Sequence, residues 1–262
     1  MNDETLRTLN AINRAFYRDS APAFDVTRDA PWPGWNSLVP LLHQLLHQQE
    51  KSPLRILDVG CGNGRFAHFL SHELSDPFDY TGLDTSEALL ESARENTPSN
   101  TKSNANHSSF QFGPWDFVEN PPPDFLAQDR FHFIGVFGVM HHVPSAARRR
   151  ALVHQLLELT CSGGLLAFAF WQFADEARFS QRILPWEQLP EDFDLEISDL
   201  EPGDHLLRWG QEGTAYRYCH HVAPAELEEL LSEDLPLELL ADYRADGREH
   251  RLNRYLILRK TG

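Results

Sequence analysis

Cysteine is scarce. The chain has three in 262 residues, Cys61, Cys161 and Cys219, and no two are spaced as a CxxC pair. That excludes a disulfide framework and a thiolate metal site, and it suits a reducing compartment. Long apolar runs are also missing: no stretch approaches the ~18 uncharged apolar residues of a membrane span. The opening Met1-Asn2-Asp3-Glu4 is acidic and has no apolar signal core, so a cytoplasmic location is expected and secretion is not. Positive charge is short as well, with 23 Lys and Arg against 39 Asp and Glu and a formal net charge of −16. An acidic chain binds polyanions poorly, and no DNA partner is expected.

The charge deficit is uneven. Residues 183–242 hold sixteen Asp and Glu against Arg208 and Arg217, a balance of −14 that leaves about −2 for the rest. Basic residues cluster only at Arg148-Arg149-Arg150 and in the set Arg244, Arg248, Arg251, Arg254, Arg259 and Lys260. These are solvated surface or, if an RNA binds, its phosphate contacts. His43 and His47 stand four apart with no third ligand in a recognised pattern, so no metal site is expected.

No internal repeat is present, and the length suits one well-buried core with additions, a single domain over 1–262. Residues 1–50 read as a helical lead-in broken at Pro31-Trp32-Pro33-Gly34, with Leu41, Leu42, Leu45 and Leu46 at helical spacing. Strands are expected at 54–59, 79–84, 109–112, 131–137 and 165–171, alternating with helices at 66–74, 86–95 and 144–160. This alternation predicts a doubly wound α/β fold with a parallel sheet covered on both faces. Residues 97–108 are polar and read as a loop, and 172–215 as an inserted cap. A helix at 226–231 and strands at 237–243 and 254–258, joined through Ala245-Asp246-Gly247, predict an antiparallel hairpin at the sheet edge.

Asp58-Val59-Gly60-Cys61-Gly62-Asn63-Gly64 falls where the first strand turns into a helix. Glycines there let backbone approach a ligand at the strand ends, where doubly wound folds bind. Dinucleotide binding calls for a third glycine at position 65, which is Arg65. An acidic Asp58 before the turn suits a cationic ligand better than a pyrophosphate, and S-adenosylmethionine (SAM) carries an ammonium and a sulfonium. Asp84, 20 residues beyond Gly64, ends the second strand and is placed to accept both ribose hydroxyls. Trp115-Asp116-Phe117 follows the third strand, with Asp116 a candidate acceptor for the adenine amino group and Trp115 a candidate cover for the ring. The candidate cofactor residues are therefore Asp58, Gly60, Gly62, Gly64, Asp84, Trp115 and Asp116.

These motifs resemble the class I SAM-dependent methyltransferases, whose Rossmann-like sheet has seven strands. Within them the chain is similar to the tRNA wobble-uridine carboxymethyl methyltransferases over nearly its whole length. The similarity runs through Phe24 to Arg28 with Pro31-Trp32-Pro33, Gly135 to His142, Arg148-Arg149, Phe170-Trp171 and Pro202-Gly203-Asp204. It continues through Tyr216-Arg217-Tyr218-Cys219-His220 and then Ala225-Glu226-Leu227, taken together as the entry to a helix, and Asn253 to Ile257. The resemblance implies formation of a methyl ester on a carboxymethyl-type wobble uridine of tRNA, with a small zinc-binding activator protein as a possible partner. A small-molecule O- or N-methyltransferase is the alternative.

A carboxylate acceptor is already an anion at neutral pH, so positioning supplies most of the rate. Arg28 and Arg217 are candidate carboxylate clamps, since guanidinium binds carboxylate in a bidentate way. His141, just past the fourth strand, is a candidate to orient the acceptor, and the adjacent His142 reads as structural. Trp171 and His220 are candidate acceptor contacts, by stacking and by hydrogen bonding. For each, packing or surface exposure is the plainer alternative.

Overall fold

A computed structural model of the chain describes residues 1–26, 30–49, 52–97, 108–127, 129–189, 193, 195–210, 215–231 and 234–262, with 21–26 described by backbone alone. The polar stretch from 98 to 107, expected as a loop, lies outside the described residues.

The Asn2 side chain accepts the amides of Glu4 and Thr5, both at 2.9 Å, and so caps helix α1, Asp3–Val26. Leu6, Leu9, Ile12 and Phe16 line its buried apolar side. The Pro-Trp-Pro-Gly break becomes a 3-10 turn, Pro33–Leu38, that leads into α2, Val39–Gln48. There follow β1 (Leu54–Val59), α3 (Arg65–Glu73), β2 (Phe78–Asp84), α4 (Glu87–Asn96), β3 (Ser109–Pro114) and β4 (Phe131–Phe137). Next come α5 (Ala146–Leu159), β5 (Thr160–Trp171) and α6 (Ala177–Ser180). The chain ends with β6 (Ile183–Leu184), β7 (Asp204–Trp209), β8 (Ala215–His220), α7 (Pro224–Leu230), β9 (Leu237–Ala245) and β10 (Asn253–Lys260).

Seven strands form one sheet in the order β3-β2-β1-β4-β5-β10-β9. The first five are parallel, and β10 runs antiparallel to both β5 and β9. This is the doubly wound fold expected from the alternation of strands and helices, with the edge hairpin in place. The order reverses between β1 and β4, and such a switch point leaves a crevice at the strand ends. Successive side chains serve opposite faces. Leu57, Val59, Ile134 and Val136 join one core with α5, while Ile56, Phe133 and Tyr80 join another with Phe66 and Leu70 of α3.

A second sheet, β6-β7-β8, is antiparallel and forms the cap. Residues 216–220, read as the entry to a helix, form strand β8, and α7 follows at Pro224–Leu230. Two-residue alternation explains it: Arg217 and Cys219 face Trp171 and Leu207, while Tyr218 faces Leu9 and Ile12 of α1. Pairing with β7 thus buries both faces of a segment too polar to announce itself as a strand.

The edge hairpin reaches back to the N-terminal segment. Asp246, at φ 64 in its turn, accepts the Gly34 amide at 2.8 Å, the Asn253 side chain at 2.7 Å and the Tyr255 hydroxyl at 2.6 Å. The Tyr243 hydroxyl donates to the Gly34 carbonyl at 2.8 Å. Among the described residues no helix is long and apolar enough to cross a membrane.

Candidate functional site

The glycine turn is built by hydrogen bonds to the end of β2. The amides of Gly60 and Cys61 both donate to the Leu83 carbonyl, at 2.7 and 3.0 Å, and the Gly62 amide donates to Asp84 Oδ2 at 2.9 Å. Gly62 has φ 55, and a Cβ built on it would meet nothing within 4 Å, because it faces open cleft. The other oxygen of Asp84 accepts the Ser86 amide at 2.9 Å. Asp84 is 8% exposed, and burial raises its pKa. Beneath the turn, Asp58 accepts the Tyr80 hydroxyl at 2.5 Å, and burial pushes its carboxyl up to about 7 against that bond. Asp58, Gly60, Gly62 and Asp84 line one cleft of about 970 Å³, measured with its open mouth.

Three expected cofactor contacts stand elsewhere. Gly64, at φ 78, caps α3 and lies against α4, where an added Cβ would come within 3.1 Å of Ala93. It lets two helices approach and does not line the cleft. Trp115 is buried, its indole N–H donating to the Asn120 carbonyl at 3.2 Å. The Asp116 carboxylate is occupied by the amides of Val118 and Glu119 and by Asn10 Nδ2, with Arg14 at 3.6 Å. The next two residues, Phe117 and Val118, supply the wall instead.

Helix α1 contributes a wall that the sequence reading missed. Asn10, Asn13 and Tyr17 line the cleft from one polar face of the helix, spaced i, i+3 and i+7. Asn13 Oδ1 accepts the Tyr218 amide at 2.9 Å, while its Nδ2, in a residue 4% exposed, has no partner among the described residues. The signal was available as polar residues at helical spacing, one position on from Leu9, Ile12 and Phe16 and so on the adjoining face. Trp32 and Trp35 stack at 5.5 Å and close the mouth, with Arg65 over both rings. His142, read from sequence as structural, also lines the cleft, whereas His141 does not.

Beyond the cleft wall lies a second group. The Arg217 guanidinium stands 4.5 Å from the Trp171 ring centre and 5.6 Å from that of Phe16. His141 meets Trp171 edge-on at 5.1 Å and packs on His142 at 4.0 Å. The structure thus brings Arg217, Trp171 and His141 together. Arg28, the other expected clamp, lies outside the described residues. His220 is not in this group. It bridges Asp204 and Glu226, both at 2.7 Å, inside a buried network that includes the Tyr218 hydroxyl and Arg149. With both ring nitrogens bonded to carboxylates, His220 is a structural link and has no donor left for an acceptor.

The fold, with its cleft at the switch point, is that of the SAM-dependent methyltransferases. A crystal structure of one from Methanosarcina mazei matches with a TM-score of 0.58 at 20% identity, over 83% of this chain and 97% of that one. The N-methyltransferase NodS from Bradyrhizobium japonicum, solved with S-adenosyl-L-homocysteine, matches at 0.55 and 16% identity, over 97% and 99%. Magnesium protoporphyrin IX methyltransferase (ChlM) from Synechocystis, solved with SAM, matches at 0.55 and 13%, over 95% and 97%. No curated protein sequence matches the chain. A family model described as a methyltransferase domain matches residues 35–234, most of the chain. The chain belongs to the class I SAM-dependent methyltransferases.

SAM, the cofactor of this methyltransferase, supplies an activated methyl group on a sulfonium. The residues fit it. Asp84 keeps a lone pair for a ribose hydroxyl beyond the amides of Gly62, Thr85 and Ser86 that it accepts, and Asp58 offers a buried carboxylate to the ammonium. Gly62 leaves room where a side chain would intrude, and Asn13 Nδ2 is a buried donor still to be satisfied.

Two members of the basic clusters are spent inside the protein, and four more sit in surface ion pairs. Arg149 is 1% exposed and pairs with Glu201 at 2.8 Å and Glu226 at 2.6 Å, so it reaches no phosphate. Arg244, Arg251, Arg254 and Arg259 pair with Asp175, Glu249, Asp242 and Glu238. Lys260 donates to the carbonyls of Leu157 and Thr160. Arg149 and Lys260 are held inside the protein, and the paired arginines share their charge with a carboxylate.

His141, His142 and Cys219 could form a metal cluster by proximity. However, both nitrogens of His142 are hydrogen-bonded, and burial pushes the Cys219 thiol up to about 11, which opposes metal binding.

Proposed function

We propose that this methyltransferase acts on a small acceptor bearing a carboxylate, which Arg217 receives, and not on a wobble uridine of tRNA. The carrying observation is Arg217 itself. It is 6% exposed, its Nε has no partner among the described residues, and no described carboxylate lies within salt-bridge distance of it. A buried cation without an anion is costly. A carboxylate ligand would offset that cost through a charge-assisted, bidentate contact. Trp171 offers a flat apolar wall beside it.

The tRNA reading rests on sequence resemblance, and the buried pairing of Arg149 together with the surface ion pairs of the C-terminal arginines weighs against it. The test is release of S-adenosyl-L-homocysteine by the purified chain, with a panel of small hydroxy and amino acids in one arm and total tRNA in the other. We expect turnover with a carboxylic acid and none with tRNA. Methyl ester appearing in tRNA nucleosides, at a rate lost in Arg217→Ala, would restore the tRNA acceptor.

A further inference from the structure

Tyr17 and His142 meet in the cleft wall on the β4 side, with the Tyr17 hydroxyl 2.6 Å from His142 Nε2. The other ring nitrogen, Nδ1, lies 3.1 Å from the Tyr218 carbonyl. A carbonyl only accepts, so Nδ1 carries the proton. In the neutral ring Nε2 then has a free lone pair and accepts from the Tyr17 hydroxyl. The backbone thus selects the tautomer in which His142 pulls on the phenolic proton. The ring is held further by edge-on contact with Tyr17 at 5.3 Å and by His141 at 4.0 Å.

The position suits a reaction. Asp84 ends β2, and Phe117 and Val118 line the wall beyond β3. Asp84 and the Phe117–Val118 wall would hold the ribose and adenine of the cofactor, and the turn after β1 would hold its methionine portion. Gly138, Val139 and His142 line the cleft there, beside Tyr17 and Asn13, whose Nδ2 has no partner among the described residues. One residue organises this end: the Tyr218 amide fixes Asn13 and the Tyr218 carbonyl fixes His142.

We propose that Tyr17 and His142 form a proton relay, so that the methylated atom is a hydroxyl or amine of the acceptor and its carboxylate serves as the anchor. The lone pair of the acceptor atom forms the bond to the methyl carbon, and the sulfur keeps the electron pair of the bond that breaks. The acceptor's proton passes to Tyr17 Oη as the phenolic proton passes to His142 Nε2. The imidazolium retains its Nδ1 bond to Tyr218 and later gives its extra proton to solvent. Tyr17 is the catalytic residue, and His142 acts through it. A carboxylate oxygen carries no proton at neutral pH and would leave this relay idle. The anchor at Arg217 rests on the proposed function; the relay itself does not.

The experiment uses the full chain labelled with ¹⁵N-histidine and saturated with S-adenosyl-L-homocysteine. Long-range ¹H–¹⁵N spectra, with His142 assigned by its loss in His142→Gln, should show a protonated Nδ1 and a bare Nε2. Tyr17→Phe should shift the Nε2 resonance alone. A proton on Nε2 in the neutral ring overturns the relay. With an acceptor from the acid panel, Tyr17→Phe and His142→Gln should each slow single-turnover methyl transfer at least about 100-fold, with homocysteine-product affinity within about twofold. An unchanged rate in Tyr17→Phe also overturns it. If no acid in the panel turns over, the carboxylate anchor falls, and the tautomer still decides the relay.

Discussion

Arg217 stands 4.5 Å above the ring of Trp171, and that aromatic face is the nearest thing to a counter-charge among the described residues. The cation–π contact contributes about 0.5–2 kcal/mol, less than full desolvation of a guanidinium costs. Arg217→Met should therefore raise stability to urea by about 1 kcal/mol, while Arg217→Ala, Met or Lys cuts acceptor turnover more than about tenfold. SAM affinity should stay within about twofold by calorimetry. A destabilised Met variant would mean that the cation is satisfied within the fold.

Asp84 holds the glycine turn and faces the ribose site at once. Asp84→Ala should weaken SAM binding by about 1–3 kcal/mol in a folded protein. Calorimetry on a variant with wild-type circular dichroism checks this, and unchanged affinity removes Asp84 from the cofactor site.

Burial raises the Asp58 carboxyl to about 7 in the absence of a ligand's ammonium. An ammonium ligand needs it ionised, so binding below pH 7 must expel a proton. SAM affinity should fall by up to about tenfold per pH unit as pH drops from 7 toward 5.5. Asp58→Asn should bind more weakly and lose that slope. A wild-type affinity flat over this range contradicts the contact.

The network at His220 makes a second pH prediction. Burial alone would lower the His220 pKa, but hydrogen bonds to Asp204 and Glu226 outweigh it and raise the pKa above 6.5. Its contribution to folding is complete below about 6.5 and is lost as pH rises through the raised value. Burial would raise both carboxylates, yet their hydrogen bonds hold Asp204 below 3.8 and Glu226 below 4.5. Their contribution is complete above about 4.5 and is lost as pH falls through the lowered values. Urea unfolding of His220→Gln should show a deficit of about 3–5 kcal/mol near pH 6, shrinking toward pH 9. A deficit that does not vary with pH would mean that His220 is uncharged in the fold.

The parts of this protein that were legible in its sequence depend on local pattern. The buried run Phe131–Phe137, the turn at Gly60 to Gly64 and the Asp246-Gly247 hairpin each carry their instruction within a few residues. What was not legible depends on partners far along the chain. Arg149 reads as surface charge until Glu201 and Glu226 come to it from 52 and 77 positions away. The strand character of residues 216–220 exists only because β7 and α1 cover it. His142 sits beside His141 and Trp115 two positions before Phe117, and a change of facing over one or two residues decides which lines the cleft.

The Asp246 clasp on Gly34 has a bearing on the order of synthesis. Trp32 and Trp35 leave the ribosome early, with most of the sheet still to be made, and the carboxylate that anchors their segment emerges more than two hundred residues later. Until then the nascent chain can form the glycine turn but lacks the fastening of its aromatic cover. A chain cut short before residue 246 would keep Asp58, Gly62 and Asp84 but lack both the clasp and β10, so the aromatic cover is fastened only after the rest of the cleft has been made.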